Sequence, residues 1–171
     1  MAAEADEPKW EGKATVKLRK PTAQQVWPLL EDFCSFHNWL PSIDTCREVE
    51  GAQAHGHGLV RYCAATLPPP PDGGEGVVKW CHEKLVSMDP THMWLSYEVL
   101  ENNMGFKSYK STIKVSPIEG GDDDDLNGCQ IEWSFLADPV EGLTCDDLLN
   151  YVDISLQGMA QNMEKALESS N

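Results

Sequence analysis

The longest stretch of helically spaced apolar residues lies at the end of the chain, at residues 144–169. Thr144 and Asp147 form a capping box at its start, with the carboxylate near the positive end of the helix dipole. The apolar positions that follow recur every three or four residues and make one stripe: Leu148, Leu149, Val152, Leu156, Met159, Ala160, Met163 and Leu167. We therefore predict a helix of about 25 residues, roughly 37 Å long, that needs an apolar partner along most of its length.

The middle of this predicted helix contains residues that do not simply favour tight packing. Gly158 costs about 1 kcal/mol in a helix interior relative to alanine. Met159 and Met163 have flexible side chains that fill irregular gaps. Two interpretations are open: an ordinary core helix, or a helix with one face packed beside a void.

The first elements of the chain are also readable from their pattern. Residues 10–18 alternate between apolar and polar side chains, as is typical of a half-buried strand. Thr22 and Gln25 form a capping box for a short helix that we expect to run to about Phe33, with a bend at Pro28. A second short helical turn is predicted at residues 36–40, and Pro41 sets its end.

The middle of the chain reads as a series of strands with short links. Six stretches have this character: residues 43–50, 59–66, 77–88, 93–100, 106–115 and 130–137. Turn residues connect them at 51–58, 68–74, 89–91 and 101–105, and a loop with four aspartates covers 122–125. Successive strands with short connections indicate antiparallel pairing. The predicted fold class is α+β, with an antiparallel sheet of six to seven strands, two short helices after the first strand and a long C-terminal helix.

Length and charge limit the classes of function. The 171 residues suit one domain, which we place at residues 9–169 after a disordered segment at 1–8. The formal net charge of −15 argues against binding to nucleic acid or to anionic membranes, which requires clustered lysine and arginine. No stretch approaches the ~20 apolar residues of a membrane span, and no signal or transit peptide is recognisable. We expect a soluble, cytoplasmic protein.

The cysteines and histidines do not suggest a metal centre. Six cysteines are scattered without C-x-x-C spacing: Cys34, Cys46, Cys63, Cys81, Cys129 and Cys145. Without a secretory signal, free thiols are expected rather than disulfides. His55 and His57 lie in a glycine-rich turn without cysteine or carboxylate partners at ligand spacing, so we interpret them as turn residues. We expect no metal and no cofactor.

Several polar side chains share the apolar phase of their strands. Tyr97 and Tyr109 do so clearly, and Trp133 follows the same rule in the last strand. Arg61 and Glu83 also fall in phase with apolar neighbours. For the Glu83 strand the opposite face is a rival, because it carries Val78, Trp80 and Val86.

Hairpin arithmetic predicts how these residues pair across the sheet. Residue numbers opposite each other sum to a nearly constant value in an antiparallel hairpin. This places Arg61 opposite Glu83, Glu83 opposite Tyr97, and Tyr97 opposite Tyr109, as one lateral row beneath the long helix. A slip of two residues in any hairpin would change the pairing without changing the face.

Two interpretations of this row follow from its chemistry. An arginine and a carboxylate inside an apolar core are costly unless they pair or face a cavity. Arg61 and Glu83 could form a buried ion pair that only fixes the register. Alternatively, an arginine, a carboxylate and two phenols around one hollow provide an anion clamp, a proton-transfer base and hydrogen-bond donors.

Short local sequences carry a resemblance to a known family. They read W-x-G-K at 10–13, V-R-Y at 60–62, E-K-L-V at 83–86, S-Y at 96–97, G-F-K-S-Y-K-S-T at 105–112 and W-S-F at 133–135. From Trp10 onward the chain resembles plant lachrymatory-factor synthases. Its element order resembles the START-like helix-grip fold, shared with birch-pollen-allergen-type proteins and abscisic-acid receptors. That fold implies a sheet wrapped around the last helix and a hydrophobic cavity between them.

The resemblance implies a site and a reaction. Active-site roles fall on Arg61, Glu83, Tyr97 and Tyr109, and Trp133 matches a pocket-wall position. We also expect ligand contacts from Cys63, Leu67, Leu95, Phe135, Leu156 and Met159. The implied reaction is a cofactor-independent isomerisation, in which a small alkenyl sulfenic acid becomes a thial S-oxide as a proton moves from oxygen to carbon. The implied partner is a small hydrophobic molecule, and no protein partner is indicated.

The chain also departs from that family in places, and alternative functions stay open. The loop at residues 67–76 is longer and carries four prolines, so we expect it to overhang the mouth of the cavity. Leu67 and Pro68 resemble the gate loop of abscisic-acid receptors, but residues 103–106 lack the His-Arg-Leu latch, and Trp39-Leu40 stands where those receptors carry a carboxylate-binding lysine. Hormone reception is therefore disfavoured. A non-catalytic carrier or sensor of a hydrophobic molecule is the main rival, and a protein with a closed core is the third possibility.

Overall fold

The computed structural model describes residues 8–50, 58–118 and 128–169. Three sequence interpretations lie wholly or mostly outside those ranges: the disordered segment predicted at residues 1–8, of which only residue 8 is described, the turn that contains His55 and His57, and the acidic loop at 122–125. The remaining residues form the predicted α+β architecture.

Seven antiparallel strands form one curved sheet, as the alternation in the sequence predicts. They are β1 (Trp10–Leu18), β2 (Thr45–Glu48), β3 (Val60–Leu67), β4 (Val77–Asp89), β5 (Trp94–Asn102), β6 (Tyr109–Pro117) and β7 (Cys129–Ala137). Their order across the sheet is β1-β7-β6-β5-β4-β3-β2. Each neighbouring pair is antiparallel. Sequential strands from β2 to β7 are therefore neighbours, and β1 closes the far edge beside β7.

Two short helices connect β1 to β2. Helix α1 covers Ala23–Glu31, and its capping box is formed as predicted: the Gln25 backbone N–H donates to Thr22 Oγ1 at 3.2 Å, and the Thr22 N–H to Gln25 Oε1 at 2.9 Å. This helix ends two residues before the predicted boundary at Phe33. A 3-10 helix at Phe33–Asn38 begins there, earlier than the predicted residue 36. Phe33 and Phe36 are both buried by this turn.

The long helix α2 covers Cys145–Ser169 and begins with the predicted capping box. The Asp147 N–H donates to Thr144 Oγ1 at 3.0 Å, and the Thr144 N–H donates to Asp147 Oδ2 at 2.9 Å. Its apolar stripe faces the concave side of the sheet and buries Leu148, Val152, Leu156, Met159 and Met163. No helix in the described part of the chain combines the length and apolar character needed to cross a membrane.

The centre of α2 is tightly packed at Gly158. A Cβ atom on Gly158 would stand 2.8 Å from Pro41 Cγ and 3.1 Å from its Cδ, so glycine permits the close approach of this proline ring. Met159 and Met163 are fully buried. Of the two interpretations drawn from the sequence, the ordinary core helix is correct for the part of α2 from Gly158 to Met163.

Candidate functional site

A cavity of about 780 Å³ lies between the concave face of the sheet and the first half of α2. Seven of the predicted site residues line it: Arg61, Cys63, Leu67, Glu83, Tyr97, Tyr109 and Trp133. Apolar side chains contribute much of the remaining wall: Leu40, Val99, Phe106, Val140, Leu148 and Val152. Its volume falls in the range of pockets that enclose drug-sized ligands.

Four predicted ligand contacts lie elsewhere. Leu95, Leu156 and Met159 are fully buried in the core and do not line the cavity. Phe135 packs its ring against Tyr109 and borders a separate depression of about 640 Å³ on the convex side of the sheet. That depression is open to solvent. The cavity meets α2 at Leu148, Tyr151, Val152 and Ser155, which precede Leu156 and Met159 in the helix.

The Arg61–Glu83 pairing predicted from the first hairpin is confirmed. The two residues are direct partners in the β3–β4 register. Arg61 Nε donates to Glu83 Oε1 at 2.9 Å, and Arg61 Nη2 lies 2.8 Å from the same oxygen. The Glu83 side chain is 11% exposed, whereas that of Arg61 is 2% exposed. The carboxylate is therefore the more accessible half of a buried ion pair.

The guanidinium of Arg61 is 2% exposed and held by protein groups at all three of its nitrogens. Its Nη1 donates to the Phe33 carbonyl oxygen at 2.6 Å. The rings of Phe33, Phe36 and Tyr97 stand 3.7, 4.1 and 4.9 Å from Cζ. Burial lowers the pKa of Arg61, but Glu83 and neighbouring groups raise it more, so the group stays charged. Because every guanidinium nitrogen is engaged, Arg61 holds Glu83 and does not offer an open anion clamp.

The rest of the predicted row has a different register. Glu83 lies opposite Val99, and Tyr97 lies opposite Leu85. Tyr97 is paired with Ser111 in β6, and it is not opposite Tyr109 as predicted. Both of these predicted pairings are displaced by two residues. A slip of two keeps a side chain on its face, so both tyrosines still line the cavity.

Ser111 is a polar residue of this site that the sequence interpretation missed. Trp133 Nε1 donates to Ser111 Oγ at 2.6 Å, and Ser111 Oγ donates to the Ser134 carbonyl at 2.7 Å. Burial raises the pKa of Tyr97 and of Tyr109, whereas hydrogen bonding to Ser111 lowers both pKa values to a lesser degree. Both phenols therefore stay protonated at neutral pH. The signal was available, because Ser111 shares the inward phase of Tyr109.

Three cysteines form a second lateral row beside the ion pair. Cys46, Cys63 and Cys81 are direct register partners on β2, β3 and β4. Cys63 Sγ lies 3.7 Å from Cys46 Sγ and 3.6 Å from Glu83 Oε1. The Cys46 thiol lowers the pKa of Cys63, but the contact with Cys81 and burial raise it, and the net direction is upward. The thiol is protonated at neutral pH. Among residues 8–50, 58–118 and 128–169, no group of three His, Cys, Asp or Glu could hold a metal ion.

The mouth of the cavity carries exposed apolar side chains. Leu67, Leu143 and Tyr151 line the cavity, yet they are 45%, 43% and 53% exposed. Leu67 is the part of the proline-rich loop that reaches the cavity, and Pro68 to Pro71 do not line it. Asp44 Oδ2 fixes the start of this loop by accepting the Thr66 backbone N–H at 2.8 Å, and that bond lowers the pKa of Asp44.

Comparison with known protein families gives a match over nearly the whole described chain. The family described as polyketide cyclase / dehydrase and lipid transport matches residues 10–168. Those residues begin at β1 and end in the last turn of α2, so the match includes the sheet, the helix and the cavity between them.

Solved structures of bacterial proteins share the architecture. The protein XoxI from Bacillus cereus is 24% identical, with a TM-score of 0.68, and the alignment covers 94% of this chain and 98% of that one. An uncharacterised protein from Bacillus thuringiensis is 24% identical, with a TM-score of 0.65 and coverages of 91% and 97%. A Thermobifida fusca protein is 21% identical, with a TM-score of 0.62 and coverages of 91% and 93%. At these identities the similarity establishes the fold alone.

Proposed function

The chain belongs to the polyketide cyclase / dehydrase and lipid transport family, and on that premise we propose that its cavity binds a small hydrophobic molecule on which Glu83 acts as a proton-transfer base. Membership in this family suggests a hydrophobic ligand and leaves the chemistry open. The chemistry has to be argued from the polar groups around the cavity.

The observation that supports the proposal is the state of the Glu83 carboxylate. Arg61 occupies one oxygen, Oε1, through two nitrogens. Within the described ranges, no side chain or backbone group donates a hydrogen bond to Oε2. Glu83 lines the cavity. A carboxylate with one oxygen anchored and the other directed at ligand space is oriented as a general base requires.

The proposed reaction is an isomerisation of the kind implied by the resemblance to lachrymatory-factor synthases. Glu83 accepts the proton of a sulfenic acid O–H and returns it to an alkenyl carbon, so one O–H bond breaks, one C–H bond forms and the formula is unchanged. Tyr97 and Tyr109, which stay protonated, donate hydrogen bonds to the oxygen as negative charge develops. Arg61 holds Glu83 in place through two hydrogen-bonding nitrogens.

A non-catalytic carrier is the second candidate, and one observation favours it. Every guanidinium nitrogen of Arg61 is engaged by Glu83 or Phe33. Much of the remaining cavity wall is formed by apolar side chains. Such a cavity can hold a hydrophobic ligand without chemical change. In that case Glu83 and the phenols only orient the ligand.

One experiment separates these two functions. An alkenyl sulfenic acid is generated in the presence of the wild-type protein, Glu83→Gln and Glu98→Gln, and thial S-oxide is measured over time. Glu98 is a matched control because it lies on the neighbouring strand β5, opposite Lys84 and next to the inward-facing Tyr97. Loss of a proton-transfer base costs about 10²- to 10⁴-fold in rate.

Each outcome has a definite meaning. Turnover that is lost in Glu83→Gln and kept in Glu98→Gln supports the isomerase, provided that the unfolding transitions of the variants stay cooperative. Binding by wild-type protein without turnover supports the carrier. Absence of both binding and turnover of any small hydrophobic molecule refutes the proposed function.

A further inference from the structure

The charges around the cavity are unbalanced, with more carboxylates than cations. Its described lining includes four acidic residues, Asp44, Glu83, Glu141 and Asp147, and two basic residues, Arg61 and Lys79. Deep in the cavity, Arg61 and Glu83 neutralise each other at 2.8 Å. At the mouth, three carboxylates face one lysine. The whole chain carries a net charge of −15, which adds to the same sign.

A ligand with a carboxylate meets no unpaired cation at the described inner end of the cavity, because Arg61 is already paired with Glu83. Arg61 could turn toward such a ligand only by giving up Glu83, the Phe33 carbonyl and the contacts with two phenylalanine rings. The incoming anion would then lie beside the Glu83 carboxylate. An unpaired charge of either sign is costly in a buried apolar site. Charged ligands are therefore disfavoured at the inner end of the cavity.

The inner end instead offers one unused acceptor and two hydroxyl groups. Glu83 Oε2 can accept a hydrogen bond, and an ionised carboxylate cannot donate one. Tyr97 and Tyr109 can donate or accept. A ligand that brings an O–H or N–H group satisfies Oε2, whereas an ether or an ester leaves that buried acceptor without a partner.

Resting on the proposed binding function, we infer that the cavity selects uncharged amphiphiles that end in a hydrogen-bond donor, and that it rejects carboxylates of the same chain length. A sulfenic acid, which is a neutral O–H donor, belongs to the selected class. So do alcohols with an alkyl or alkenyl chain.

The test is a series of three ten-carbon ligands on the wild-type protein, measured by isothermal titration calorimetry below their aggregation concentrations. The ligands are 1-decanol, methyl decanoate and decanoate at pH 8. We expect 1-decanol to bind at least about tenfold more tightly than methyl decanoate, because the ester leaves Oε2 unpaired, and decanoate to bind more weakly still. Glu83→Gln should reduce the preference for the alcohol over decanoate. Glu98→Gln should keep that preference.

The outcomes distinguish the inference from the proposed function beneath it. Decanoate binding as tightly as 1-decanol overturns the exclusion of anions, while leaving the binding function in place. Equal binding of the ester and the alcohol overturns the requirement for a donor. No binding by any of the three overturns both the inference and the binding function. If Glu83→Gln does not fold, the wild-type series alone decides.

Discussion

The buried ion pair of Arg61 and Glu83 supports a quantitative prediction about stability. Glu83→Gln removes the negative charge and leaves a guanidinium that is 2% exposed and sits between aromatic rings. Removing one partner of a buried pair costs about 3–5 kcal/mol, because the other charge stays buried without compensation. For a domain of this length the loss corresponds to a fall in Tm of roughly 6–20 °C. We expect Glu83→Gln to fold, but with a large part of its stability lost.

A double-mutant cycle tests that explanation directly. Arg61→Met removes the cation and keeps a similar apolar stem, so the variant Arg61→Met/Glu83→Gln contains no buried charge at this position. We expect the double variant to be more stable than Glu83→Gln alone, with a coupling free energy of about 2 kcal/mol. Free energies of unfolding are measured in urea by tryptophan fluorescence at pH 7, with the slope m checked for constancy.

The chain offers a control ion pair with the same closest distance and different burial. Lys9 Nζ lies 2.8 Å from Asp138 Oδ1, the same distance as in the buried pair, but these side chains are 48% and 37% exposed. Lys9→Met should cost no more than about 1 kcal/mol, because solvent screens an exposed pair. The reasoning fails if Glu83→Gln costs as little as Lys9→Met. It also fails if the double variant loses the full sum of the two single losses.

Three further predictions concern other parts of the molecule. Burial raises the pKa of Tyr97 and Tyr109, so the free energy of unfolding is retained below pH ~10 and falls above it, where tyrosines of the unfolded chain ionise, by up to about 1.4 kcal/mol per pH unit for each tyrosine. Urea unfolding at pH 9 to 11 should show a shallower fall for Tyr97→Phe than for the wild-type protein, and an equal fall contradicts this prediction. Gly158→Ala should lower the midpoint of urea unfolding, because the added Cβ would lie 2.8 Å from the Pro41 ring. In an unobstructed helix the same substitution raises stability by about 1 kcal/mol, so a raised midpoint contradicts the close approach of Pro41. Iodoacetamide should alkylate Cys63 much more slowly at pH 7 than it alkylates free cysteine, because the pKa of the Cys63 thiol is raised. The reaction is followed by mass spectrometry, and a rate equal to that of free cysteine would show an accessible thiolate.

The candidate site shows how far strand parity can be trusted. Parity in the sequence placed Arg61, Glu83, Tyr97 and Tyr109 on one face, and all four line the cavity. Pairing arithmetic succeeded only for Arg61 with Glu83. It failed for Glu83 with Tyr97 and for Tyr97 with Tyr109, because both hairpins turn further along the chain than predicted: Asp89 lies opposite Trp94, and Tyr97 lies opposite Ser111. Register in a hairpin is set by the turn, and the turn residues in the sequence did not locate its centre to within one residue.

The sequence left the role of Arg61 open between a buried ion pair with Glu83 and an anion clamp. An inward arginine beside a carboxylate suggested an anion clamp. The structure surrounds it with the Phe33 carbonyl and the rings of Phe33 and Phe36, which come from the 3-10 helix about 25 to 28 residues earlier in the chain. Whether a buried cation is open or enclosed depends on such distant contacts.

Local chemistry explains what the sequence alone determined. Capping at Thr22 and Thr144, alternation in the strands and the apolar stripe of α2 act over a few residues, and they specified the elements and the inward faces. Tertiary structure decided which half of α2 packs and which half borders a void: Pro41 fills the space at Gly158, while the cavity opens beside Val152. The physical reason is that a cavity is the volume left between distant elements, so no single segment of the chain encodes its position.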